Sequence, residues 1–496
     1  MLRVTLALAV LSSALGCVKS AAFVCSVDGD CAPGSCEPDT HFCSFADGTC
    51  GSGRRYGEFA GNGLSSRCTG GPELDGRVMD GPASDGPASD GPTSDGPSTD
   101  VVVPPAGCGK TTLLSDAFDS TTRNPLWQPP FAATGASVTF NGSRIVFALP
   151  PSRASATSGL ESRMEYDLSD SRLFLEVPQV PSAASAQTYV QLYGAGGAVF
   201  FQLEGGQLLF RKETGAGFTD IGTLTYDPVA HRWWQLRESA GTLYWETSPS
   251  GLAGTWVVRA SVATPVPVTS LTVMLAAATT ASEAAPGSAH FDNLNLENGV
   301  APGGAYCPVA SITDNFDAAT RGPLWGGSYT SSGCVVTRSG GVVTMTPASG
   351  MAGSYCAYRT GRGYQLAGSA MLVKVPGMVG TTTGAEAYLE AGNPLNNDMM
   401  SINQEGGTLR FMRRVGGASS TISSVTYQPA MHLWWRLRES GGMVTAETSP
   451  NGSSWTAIGP AVASPIPTSV IAVELGAGTG DGTTSGAAQF DNFNLP

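Results

Sequence analysis

The chain is short of charge: of its 496 residues only 14% are Asp, Glu, Lys or Arg, and the 27 basic side chains are outnumbered by 40 acidic ones, a net charge of −13. A nucleic-acid partner needs a basic surface to displace counterions from phosphates, so that class is excluded. Histidine is scarce, with only His41, His231, His290 and His432, and no G-x-S-x-G elbow occurs, so serine–histidine catalysis lacks its parts. No C-x-x-C pair is present to suggest a zinc site. The run Gly107-Cys108-Gly109-Lys110-Thr111-Thr112 ends like a phosphate loop, but Pro104 stands where its first glycine belongs, which excludes a nucleotide. Long helices are not expected either, because 64 Gly and 33 Pro break the chain into short segments.

What is present begins with an export pattern. Arg3 precedes an apolar run over residues 4–11 and a small-residue approach to Cys17, so residues 1–16 are expected to be a signal peptide. Ala14-Leu15-Gly16-Cys17 resembles the bacterial lipobox, which implies lipidation at Cys17. Export places the ten other cysteines in an oxidising compartment, where disulfides persist. Six of them (Cys25, Cys31, Cys36, Cys43, Cys50 and Cys68) fall in a segment, residues 17–70, with too few apolar groups for a core. Crosslinks must hold it, in one of 15 possible connectivities. The segment resembles the Cys-rich modules that follow the lipid anchor in lipoproteins of myxobacteria and their relatives. Residues 71–106 repeat Asp-Gly-Pro-Ala-Ser with no apolar periodicity and read as a disordered, self-repelling spacer, about 110 Å if fully extended.

The remainder is a duplication. HRWWQLRESAGTLYWETSPSG at residues 231–251 returns as HLWWRLRESGGMVTAETSPNG at 432–452. Phe118-Asp119 and Pro125-Leu126-Trp127 return as Phe316-Asp317 and Pro323-Leu324-Trp325, and Phe291-Asp292-Asn293 as Phe490-Asp491-Asn492. Two-residue turns at Ala240-Gly241 and Gly441-Gly442 predict antiparallel hairpins in which Leu236 lies opposite Trp245 and Arg436 opposite Glu447. Alternation then directs Trp234 and Trp435 to the core, and Trp233 and Trp434 to the other face. The strand spacing predicts an all-β chain with two tandem antiparallel β-sandwiches, residues 107–298 and 306–496. These landmarks resemble the concanavalin A-like, laminin-G-like jelly rolls, a family that includes lectins, adhesion modules and some glycosidases.

Site residues are read against that background. Trp233 and Trp434 suit stacking on a sugar ring, or equally covering by a loop or by the other sheet. Asp119 with Asp292, and Asp317 with Asp491, offer oxygen ligands for a structural calcium ion. Cys334 and Cys356 have no counterparts in the first repeat, where Ser137 stands in place of Cys334, so they are expected to pair. Cys108 and Cys307, ahead of their repeats, remain to join the domains. Glu165, Asp167 and Asp170 resemble a glycosidase carboxylate strand, but the last acid is shortened and the second repeat offers Gly363-Tyr364-Gln365 instead. The expected protein is therefore no enzyme but a lectin-like binder of envelope glycans, lipid-anchored at the outer membrane or cell surface. A protein-binding adhesion module is the alternative and a divergent glycoside hydrolase the second.

Overall fold

Ala240 and Gly241 both take positive φ, 48° and 78°, which closes the expected two-residue turn between Trp233–Ser239 and Thr242–Ser248. Its register pairs Leu236 with Trp245, Gln235 with Glu246 and Arg237 with Tyr244. The second copy pairs Leu437 with Ala446 and Arg436 with Glu447 around Gly441-Gly442. Trp234 and Trp435 are fully buried in their cores, the former stacked on Phe201 with ring centroids 5.4 Å apart. Each indole N–H donates to the backbone carbonyl of the neighbouring histidine, Trp234 to His231 at 2.9 Å and Trp435 to His432 at 3.0 Å. A large apolar ring is thereby buried without stranding its polar atom.

This computed structural model describes residues 25, 28–31, 34–38, 40–47, 52–56, 69, 107–215, 217–378, 384–483 and 486–496. The expected signal peptide, Cys17, Cys50, Cys68 and the 71–106 spacer lie outside the described residues. The chain divides into an N-terminal unit, Lys19–Thr99, and a larger unit that holds both sandwiches. In the former, β1 (Ser35–Cys36), β2 (Cys43–Ala46) and β3 (Arg54–Tyr56) form a small antiparallel sheet. Disulfides Cys25–Cys36 and Cys31–Cys43 hold it together, as so small a unit requires.

The first sandwich contains β4 (Phe131–Ala132), β5 (Ser137–Phe140), β6 (Ile145–Ala148), β7 (Thr157–Glu161), β8 (Arg172–Gln179), β9 (Ala186–Gly194) and β10 (Gly197–Glu204). Continuing along the chain come β11 (Gln207–Thr214), β12 (Gly217–Thr225), β13 (Trp233–Ser239), β14 (Thr242–Ser248), β15 (Val257–Ala263), β16 (Thr272–Thr279) and β17 (Ser288–Asp292). One sheet runs β12-β11-β10-β9-β16-β7-β4 and the other β15-β14-β13-β8-β17-β6-β5. The second sandwich repeats both orders, with a short extra strand, Val462–Ala463, beside its hairpin. The chain is thus all-β, with two antiparallel sandwiches after a disulfide-rich module.

Cys334 and Cys356 are joined, with Cα atoms 5.6 Å apart. Val343 pairs Phe490 as Ile145 pairs Phe291, and Val336 pairs Met345 as Val138 pairs Phe147, so the residue in Cys334's place in the first copy is Ala136, one before Ser137. Cys108 and Cys307 are also joined, Cα atoms 5.0 Å apart, and this bond ties the two sandwiches within their unit. The seam beside it is polar. Gly109 N–H donates to Ala305 O at 2.8 Å, Glu165 N–H to Gly361 O at 2.9 Å, and Glu165 forms a parallel bridge with Arg362.

Candidate functional site

The residues that form a built groove come from the outer face of the second sandwich's seven-stranded sheet. In Ala385–Gly392, Ala385, Ala387 and Leu389 face the core, so alternation turns Glu386, Tyr388 and Glu390 outward. In Ala472–Thr479, Val473, Leu475 and Ala477 are core residues, and Glu474, Gly476 and Gly478 lie on the opposite face. Register aligns these side chains in rows across three strands. Glu390 pairs Glu474, which pairs Arg359; Tyr388 pairs Gly476; Glu386 pairs Gly478, which pairs Tyr355. On the other flank Ser401 pairs Glu390 and Asn403 pairs Tyr388.

The two glycines make the floor. A Cβ on Gly476 would lie 2.2 Å from Cζ of Tyr388, and one on Gly478 would lie 2.0 Å from the Tyr355 ring, so both rings lie over bare backbone. The resulting groove has a volume of about 440 Å³ and is lined by tyrosines, carboxylates, asparagines, Arg359 and Arg414, within the size range of small-molecule sites.

Its carboxylates differ in how far they are engaged. Glu474 Oε1 accepts the hydroxyls of Tyr329 and Tyr388, both at 2.9 Å, and Arg359 Nε lies 3.7 Å from Oε2. Glu386 accepts the Tyr355 hydroxyl at 2.9 Å and the Asn403 amide. Among the described residues Glu390 has only an ion pair with Arg414, at 3.8 Å. Burial, reinforced by the charge on Glu474, pushes the Glu390 carboxyl up to about 8. Ser401 Oγ and Asn403 Oδ1 are buried and have no hydrogen-bond partner among the described residues. Buried polar atoms are normally satisfied, so a groove wall with two open positions is shaped for a polar ligand.

The first sandwich has a different face. Leu275 pairs Val190 as Leu475 pairs Leu389, which sets Met274 in the place of Glu474 and Gln191 in that of Glu390. Leu160 pairs Leu275 as Tyr358 pairs Leu475, so Glu161 replaces Arg359. The facing acid pair is absent there.

Of the two expected settings for Trp233 and Trp434, a sugar platform or a covered ring, the structure has the covered ring. Trp233 and Trp434 do lie on the face away from the core, but they are only 9% and 6% exposed. The serine-proline turn folds back over each indole; a Cβ on Gly251, at φ 72°, would lie 2.5 Å from Trp233, and one on Gly452 3.2 Å from Trp434. No ring face remains open to a sugar. The expected calcium ligands have the following surroundings. Asp491 pairs with Lys374 Nζ at 2.6 Å, and Asp317 is exposed beside Asn315. In the first copy Glu176 stands where Lys374 does, engaged by Arg232 and Asn293; Asp292, pushed up to about 7 mainly by burial, lies near it, and Asp119 is exposed. Among the described residues only Cys25, Cys31 and Cys43 gather three ligand atoms of metal-binding type, and their sulfurs are in disulfides.

Other polar motifs are structural. Asp167 pairs with Lys110 at 2.7 Å, Asp170 accepts the Ala240 N–H, and Glu165 is enclosed by Gly326 and Gly361 with Ser270 donating to it. The two hairpin histidines accept turn N–H groups at Nδ1, His231 from Asp227 and His432 from Gln428.

The sequence pattern did not single out Glu386, Glu390 and Glu474. A signal was available in Glu386-Ala-Tyr388-Leu-Glu390, a period-two pattern that sets three polar groups on one face of a strand. That Glu474, 84 residues beyond Glu390, would face it depends on strand order.

No protein-family model matches the chain, and no curated protein matches it. Among solved structures it is similar to an apo Crh5 transglycosylase (10% identity, TM-score 0.26, covering 39% of this chain and 88% of that one). A glycosyl hydrolase family 16 protein from Mycobacterium smegmatis is 14% identical (TM-score 0.26, 37% and 98% covered), and a legume lectin-like domain from Entamoeba histolytica 8% identical (TM-score 0.25, 35% and 97% covered). The fold assignment rests on the chain's own strand order. No helix among the described residues is long and apolar enough to cross a membrane.

Proposed function

We propose that this is a surface-tethered glycan-binding protein whose ligand seats in the groove of the second sandwich and is held there without being cleaved. The observation that carries this reading is the pair of open buried positions, Ser401 Oγ and Asn403 Oδ1, in a wall that also presents tyrosine rings and carboxylates. A polyhydroxylated ligand supplies hydroxyls to such atoms while its C–H faces rest on the rings. Absence of cleavage is supported by the state of Glu474, whose oxygens are already engaged by two tyrosine hydroxyls and Arg359, leaving Glu390 without a free carboxylate partner. The export pattern, Cys17 and the Asp/Gly/Pro spacer support tethering to the bacterial envelope, at the outer membrane or cell surface. Two equivalent binding sites, which duplication suggests, are not supported, because Met274 and Gln191 replace the second copy's acids.

Binding of the intact protein to an array of glycans tests this. Retention of a glycan that Tyr388→Ala weakens by about tenfold, the value of one or two lost contacts, supports the reading. Retention of none, with capture of an envelope protein in its place, transfers support to the adhesion-module alternative. A hydrolytic reading is favoured by one observation: Glu390, its carboxyl raised by burial, is the direct cross-strand partner of Glu474, so two carboxyl groups of unlike surroundings line one groove. New reducing ends released by the wild type but not by Glu390→Gln would establish it.

A further inference from the structure

The groove does not end at the second sandwich. Arg359 stands at its edge on the last residue of Ser354–Arg359, and just beyond it the chain meets the first sandwich, where Glu165 forms a parallel bridge with Arg362. That bridge brings the residues upstream of each partner to one end of the seam: Arg163, two before Glu165, and Arg359, three before Arg362. Arg123 joins Arg163 there, for both guanidinium groups donate to the same carbonyl, that of Trp127, Arg163 Nη2 from 3.2 Å. Neither has an ion pair among the described residues, and Arg163 Nε is buried with no acceptor. Burial, and then the charges of Arg123 and Arg359, hold the Arg163 guanidinium below the ordinary arginine value.

Arg359 at the edge of the groove and, across the seam from it, two arginines without an ion pair among the described residues define what should lie against them. We propose that the seam between the sandwiches is an oxyanion subsite, in which Arg123 and Arg163 of the first sandwich and Arg359 of the second grip a carboxylate or sulfate group on the bound glycan. The inference rests on the groove as the glycan site and adds the ligand's class, an acidic polysaccharide. It also explains what the first sandwich contributes. That sandwich has no acid-pair groove of its own but supplies two guanidinium groups to its neighbour's, and the Cys108–Cys307 bond holds the two halves of the subsite together. Guanidinium forks match the planar geometry of carboxylates and the oxygens of sulfate esters, and they bind more strongly when partly withdrawn from water.

The test uses the intact protein and two pairs of polysaccharides, each pair alike in backbone and unlike in charge: polygalacturonate with its methyl ester, and dextran sulfate with dextran. Affinity for a charged member should exceed that for its neutral partner by about tenfold and fall as salt rises. The pair that shows the preference tells carboxylate from sulfate. Arg123→Gln/Arg163→Gln should bring the charged member to within about twofold of the neutral one, and Arg163→Lys, which keeps the charge, should restore part of the difference. Equal binding of charged and neutral members, or a preference that the double variant leaves intact, overturns the subsite while the groove reading stands. Binding to neither member of either pair overturns both.

Discussion

Glu390 and Glu474 are direct partners on adjacent strands of the second sandwich; Glu474 is fastened by Tyr329, Tyr388 and Arg359, Glu390 by an ion pair with Arg414. Two carboxyl groups in one row do not ionise independently, and burial together with the charge on Glu474 raises the Glu390 carboxyl.

That arrangement has a pH consequence. Glu390 is raised in the folded chain above the ordinary glutamate value, so the folded state binds more protons than the unfolded state between that value and about 8. Its contribution to stability is complete below the unfolded value and is lost as pH rises through about 8. Glu390→Gln should therefore raise the thermal midpoint at pH 9 and change it little at pH 5. Calorimetry at the two pH values checks this, and an equal shift at both would refute it.

Gly476 holds the groove open. Gly476→Ala places a methyl group where the Tyr388 ring now lies, 2.2 Å from Cζ. The ring must leave its place over the floor and release Glu474 from one hydroxyl. Glycan affinity should fall about tenfold or more, with strand content by circular dichroism unchanged. Unaltered affinity would show that the ligand does not use this floor.

The tryptophan pair of the second hairpin separates packing from recognition. Trp435→Ala removes a fully buried ring from the core and should cost about 3–5 kcal/mol of stability in denaturant unfolding. Trp434→Phe, beneath the Gly452 turn, should leave glycan retention at the wild-type level. A selective loss of binding in Trp434→Phe would return that residue to the site.

Removal of the Cys334–Cys356 bond opens a loop with a sequence separation of 22 residues, and the short strand Tyr329–Thr330 lies just ahead of it. The Cys334→Ser/Cys356→Ser variant should lose about 3 kcal/mol of stability. Tyr329 reaches Glu474 from that neighbouring strand, so glycan affinity should weaken too. Unfolding and binding measured on one preparation report both.

The amino-acid pattern alone determined the duplication, the all-β class, the hairpin register and the division of Trp233 from Trp234 and of Trp434 from Trp435, because period-two alternation and two-residue turns are local properties. It also singled out Cys334 with Cys356, since an unmatched pair in a duplicated chain is visible without coordinates. Tertiary structure decided everything that depends on contacts between distant strands. Trp233 faces away from the core as alternation requires, yet the Gly251 turn covers it, and no local pattern records what folds over a surface. Asp491 looked like an ion ligand until Lys374 arrived from another strand to pair with it. Glu390, Glu474, Ser401 and Asn403 share a groove only because the strand order sets Ala385–Gly392 between Ala472–Thr479 and Met399–Glu405, and Glu165 bridges Arg362 only because two sandwiches are joined at a seam. Local periodicity fixes which face a side chain takes; the neighbour it finds there is fixed by long-range strand pairing, which sequence spacing does not encode.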